Sequence, residues 1–244
     1  RALPLIELRR RSRARAILGG DPDPILEAPR LARLAILEAL AGRPGPARAA
    51  RGRLDPLEEG PPLLGAWNQY YAGVSALETG DLAEARKRVK DARKTFHATG
   101  FPVGEIECAL VLADAALRAA SSSARPEVDL ALAAEEIDAA RRVAIDSPGH
   151  VSPRSRDLRT TILEARIILG RLASRPCKAS RKDARGAARK REDAGGRAAG
   201  HAALSDLIAR AAGDSTLANH PDLRILVECL SAASARLGGD IAAA

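Results

Sequence analysis

Apolar positions recur along the chain at helical spacing and are interrupted by clusters of Gly, Pro, Asp and Ser. Leu3–Leu18 predicts a first helix, stopped by Gly19-Gly20-Asp21-Pro22-Asp23-Pro24. Ile25–Ala41 repeats Leu31, Leu34, Ile36/Leu37 and Leu40, and ends at Gly42-Arg43-Pro44-Gly45. A short helix over Ala47–Leu54 precedes Asp55-Pro56 and Gly60-Pro61-Pro62. Leu63–Thr79 and Leu82–Thr99 come next, joined by Gly80-Asp81. Glu105–Ala120, Glu127–Ile145 and Arg154–Ser174 follow, and Ala198–Ala212 and Pro221–Leu237 are the last two. The pattern therefore predicts an all-α fold of about ten helices.

Composition points the same way. The 244 residues include 52 Ala and 31 Leu, strong helix formers, while aromatics are 2% and β-branched residues are sparse. Methionine is absent, position 1 included, and 33 Arg stand against 6 Lys; the chain reads as a segment of a longer polypeptide with biased coding. Cys108, Cys177 and Cys229 are odd in number and far apart, which argues against a disulfide framework and a zinc site. No apolar run reaches membrane-span length, so no membrane partner is expected. The N-terminal charges follow the apolar residues, the reverse of a secretory signal, and a reducing, cytoplasmic setting is expected.

The net charge of +8 is concentrated in two segments. Residues 1–15 hold six Arg and one Glu; residues 175–200 hold nine Lys and Arg against three acids. Arg9, Arg10, Arg11, Arg189, Lys190 and Arg191 are the candidate contacts to phosphates or to an acidic protein surface. A solvated helix face or a linker is the other role open to them. Neither segment interleaves aromatics with its cations, so neither offers a stacking platform for single strands. The second is Ala-rich with few large apolar residues, and reads as an exposed helix or a disordered stretch.

Two helices share a pattern 48 residues apart, Ala85-x-x-x-Val89-x-x-Ala92 and Ala133-x-x-x-Ile137-x-x-Ala140. Each follows a helix with a small residue in mid-face, Gly73 and Ala113, which lets paired helices approach closely. With Trp67 near its start and Gly80-Asp81 in register, Ala66–Ala98 resembles a tetratricopeptide repeat. Glu105–Ile145 resembles a second unit, its turn lengthened by a Ser-rich insert. Leu169-Gly170 suggests a third, with Arg166 where the family has an apolar residue. The resemblance implies a right-handed α-solenoid of antiparallel helical hairpins over residues 63–174. Helices in 1–62 would pack on or cap it, 175–200 would form the basic segment, and 201–244 a C-terminal helical pair. Such modules bind a peptide or partner domain in a concave groove, without cofactor or catalysis, often as regulatory parts of larger proteins.

A search for chemistry agrees with a non-catalytic role. His97, His150, His201 and His220 are scattered, and no H-E-x-x-H, G-x-S-x-G or phosphate-binding loop is present. His97 and Cys108 are a nominal Cys–His pair, and an exposed His near a core Cys is the simpler expectation. Trp67, Tyr70 and Tyr71 share one helix, and Val74 and Glu78 continue their stripe. In the family pattern Gln69, Ala72, Gly73 and Ala76 face the partner helix, which puts the stripe on the concave side as a candidate partner-binding surface. Its other place is the contact with Ile25–Ala41 or Ala47–Leu54. Two alternatives to a protein-interaction module remain: a nucleic-acid-associated helical protein using segments 1–15 and 175–200, and a structural helical domain of a multidomain enzyme.

Overall fold

A computed structural model of the chain describes residues 27–54, 61–147, 153–174, 184–214 and 221–243. Among the described residues there are nine α-helices and no strand: α1 (Glu27–Leu40), α2 (Pro44–Gly52), α3 (Pro62–Glu78), α4 (Leu82–Ala98), α5 (Pro102–Ala120), α6 (Pro126–Asp146), α7 (Pro153–Ser174), α8 (Ala184–Ala212) and α9 (Pro221–Ala243). The helix expected over Leu3–Leu18 lies outside the described residues. Six of the nine begin with proline. At the first helical position the missing N–H costs nothing and the fixed φ already suits a helix, so prolines that read as breakers serve as starts.

Several ends share one device. Gly42, Gly80 and Gly100 adopt φ of 71°, 81° and 63°, which only glycine tolerates cheaply. Each lets the following N–H reach back five residues: Arg43 to Glu38 O at 2.9 Å, Asp81 to Ala76 O at 2.8 Å and Phe101 to Phe96 O at 2.8 Å. These reverse bonds satisfy the last carbonyls of α1, α3 and α4 and turn the chain sharply into the next segment.

The chain divides into two compact units, Arg1–Ala115 with Ala139–Val151 and Ala116–Asp138 with Ser152–Ala244. In the first, α1 packs on α2 and α3, and α3 packs on α4. Ala85, Val89, Ala92 and Phe96 are fully buried along one face of α4. A Cβ on Gly73 of α3 would lie 2.5 Å from Val89 Cγ2 and 3.3 Å from Ala85 O. The absent side chain is thus what allows α3 and α4 to cross so closely. Cys108, Val111, Leu112 and Ala115 of α5 join the same core.

In the second unit α7, α8 and α9 each touch the other two. They close over Ile162, Leu172, Leu204, Leu207, Val227 and Leu230, and Gly170 admits the Leu130 side chain of α6. Helix α8 begins at Ala184, well before the expected Ala198. Of the two readings open for the basic stretch, helix or disorder, the backbone is helical from Ala184 on, where Ala, Arg and Lys are strong helix formers. Residues 175–183 lie outside the described residues.

Candidate functional site

All five aromatic residues of the chain gather in one cluster on the first unit. Helical spacing brings Trp67, Tyr70 and Tyr71 to one side of α3. Phe96 comes from the last turn of α4, and Phe101 is folded back onto it by the Gly100 turn, with ring centroids 5.7 Å apart. That pairing is the apolar contact that commonly accompanies this helix ending. Trp67 is central: it stacks on Tyr71 at 5.6 Å and meets Tyr70, Phe96 and Phe101 edge-on at 5.4, 5.0 and 6.1 Å. Gly104 of α5 lies directly against the Phe96 ring.

The stripe is divided between core and surface. Tyr70 is 8% exposed and belongs to the core, whereas Trp67, Tyr71, Val74 and Glu78 are half-buried. Tyr70 donates its hydroxyl to Glu107 Oε2 of α5 at 3.2 Å. Tyr71 packs beside Leu31 and Ala32 of α1, and the Arg33 guanidinium sits 5.4 Å from its ring centroid. Burial raises the Tyr71 pKa; the Arg33 charge opposes that shift and Glu107 adds to it. One turn before Trp67, Leu63 and Leu64 are exposed. The result is a partly open apolar surface with polar tips.

The far end of α3 holds a polar cluster that single-residue inspection did not reveal. Arg51 of α2 is 2% exposed, and each of its five N–H groups has an acceptor. Nε reaches Glu84 Oε1 at 3.2 Å; Nη1 reaches Ser75 Oγ at 3.1 Å and Thr79 Oγ1 at 3.3 Å; Nη2 reaches Asp81 Oδ2 at 2.6 Å and Glu84 Oε2 at 3.0 Å. The Ser75 hydroxyl in turn donates a hydrogen bond to Ala35 O of α1 at 2.9 Å. Arg48 grips Asp81 with two bonds of 3.0 and 2.9 Å, and Arg88 links Glu84 to Gln69. The Arg48 guanidinium, helped by Thr79 and Arg51 and opposed by partial burial, holds the Asp81 carboxyl well below the usual carboxylate range. In the sequence the signal was a matched pair of i, i+3 spacings, Arg48/Arg51 and Asp81/Glu84, meaningful only once α2 is set against α4.

The remaining candidates do not converge. His97 is exposed and bonds Glu105 at 3.1 Å, while Cys108 is fully buried. His201 Nε2 lies 2.9 Å from the Ser234 carbonyl oxygen. The Ser234 hydroxyl lies 3.3 Å from the same nitrogen. Arg189, Lys190 and Arg191 fall within α8; Arg9, Arg10, Arg11, His150, Cys177 and His220 lie outside the described residues. Among the described residues no group of His, Cys, Asp and Glu could hold a metal ion, and no helix is long and apolar enough to cross a membrane. Comparison with protein-family models, curated proteins and solved structures finds no match.

Proposed function

We propose that the first unit is a tetratricopeptide-like module, a right-handed solenoid segment of antiparallel helical hairpins, that binds a protein or peptide and has no catalysis of its own. The half-buried Trp67–Tyr71 surface, continued by exposed Leu63 and Leu64, carries this reading. Aromatics with polar tips are favoured where a partner covers them, since they bury a large area and keep a hydrogen bond. Support for the repeat comes from the Gly73 crossing with Ala85 and Val89, the Gly80 turn, and the packing of α1 on α3.

Tyr70 is a poor probe of this surface, because its removal also opens the core. Leu63→Ser and Leu64→Ser are better placed, being exposed and outside the buried cluster. Together they should abolish capture of a bound protein by the full chain while changing unfolding free energy by about 0.5 kcal/mol or less. Undiminished capture by the folded double variant would remove the surface from consideration.

A further inference from the structure

Helix α2 is held in a way no other described helix of the first unit is. It has nine residues, opens Pro44-Gly45-Pro46 and ends at Gly52, too short and too rich in Gly and Pro to persist unaided. Its buried residues are Ala47, Ala50 and Arg51, so it places two methyl groups and one guanidinium against its neighbours. Both flanks are pinned. Arg43 bonds Glu38, and Leu54 is 1% exposed in a core with Leu31, Ala32 and Ala72. Between the pins, the side-chain bonds that tie α2 to α3 and α4 all come from Arg48 and Arg51. The seam is not sealed: an open pocket of about 490 Å³ runs along it, lined by Arg48, Arg51, Gly52, Asp81, Leu82, Ala83, Glu84 and Arg88.

We propose that α2 is an ion-latched strap, a segment that unwinds between its two pins while α1, α3 and α4 stay folded. The latch is cooperative, because Arg51 spans three elements and its loss leaves Asp81 and Glu84 with only Arg48 and Arg88 as cations. Water in the open seam can solvate the separated charges, which lowers the barrier to local opening relative to a sealed interface. Opening would uncover Ser75, Thr79, Asp81 and Glu84 together, a notch shaped for a guanidinium.

Native-state amide exchange on the full chain at neutral pH tests this. In the parent protein, amides of Arg48–Leu54 should exchange at least tenfold faster than those of Tyr70–Leu77 and Val89–Phe96. The double change Asp81→Asn and Glu84→Gln should speed exchange in Arg48–Leu54 by a further tenfold or more, with mid-helix α3 and α4 unchanged. Arg51→Met, which keeps length and adds apolar packing, serves if the double variant fails to fold. It should also speed α2 exchange selectively. Equal protection of α2 and α3 in the parent, or acceleration spread evenly over α1, α3 and α4 in either variant, overturns the strap.

Discussion

The two ends of α3 solve the same problem by different physics. Near its start, Trp67, Tyr70 and Tyr71 join neighbouring helices by apolar contact, with Phe96 and Phe101 closing the cluster. Near its end, Ser75 and Thr79 help hold a buried guanidinium shared with Asp81 and Glu84. The aromatic end tolerates imperfect cover, because an apolar surface half in water loses only the area left uncovered. The ionic end tolerates nothing unpaired, because a buried charge without partners costs several kcal/mol. That contrast explains why the aromatic end is half open and every Arg51 donor is satisfied, and it orders the effects of breaking each.

The largest effect belongs to Arg51→Ala. Removing one partner from a buried network costs about 3–5 kcal/mol, and urea unfolding of the full chain should show a loss near the lower figure, since Asp81 is partly solvated. Arg51→Met, which keeps much of the volume but removes the same charge, should lose nearly as much. A much smaller loss for Met than for Ala would mean that volume rather than charge fills the site, and the comparison would fail.

Gly73→Leu comes next, at about 1–3 kcal/mol from overpacking. Val89 Cγ2 is a side-chain atom that can turn away, but Ala85 O is backbone and cannot. Unchanged thermal melting in this variant would show that α3 and α4 cross more loosely than their geometry states. Gly73, Ala85 and Val89 were legible in the sequence because small residues at helix crossings leave a local, periodic trace. The helix order was legible for the same reason. Arg51 was not: charged residues in a helix's last turn normally face water, and only the meeting of residues 33 positions apart makes this one buried. The division of the stripe was also beyond reach, since periodicity places Tyr70 and Tyr71 side by side and cannot say which one α5 covers.

Acid should separate the two ends. Asp81 has a folded-state pKa below its ordinary value, so its contribution is complete above the unfolded-state pKa and is lost as pH falls through the folded one. Denaturant midpoints measured from pH 6 down to pH 2 should therefore decline more steeply in the parent than in Asp81→Asn. The five rings of the aromatic cluster carry no carboxyl group. A parent and variant that decline in parallel would show that Asp81 is not what acid attacks.

The smallest effect is Tyr70→Phe. The ring stays, so its contacts with Trp67 and Tyr71 persist, while the 3.2 Å bond to Glu107 is lost. A hydrogen bond to a charged group contributes about 1.5–3 kcal/mol when enclosed. Glu107 is half-buried and can turn to water instead, so the expected loss is about 1 kcal/mol or less. Fluorescence of Trp67, the only tryptophan, should hardly move in this variant, because its neighbours are unchanged. A loss approaching that of Arg51→Ala would mean that the aromatic end too depends on a buried polar link, and the two ends of α3 would then be held by the same physics.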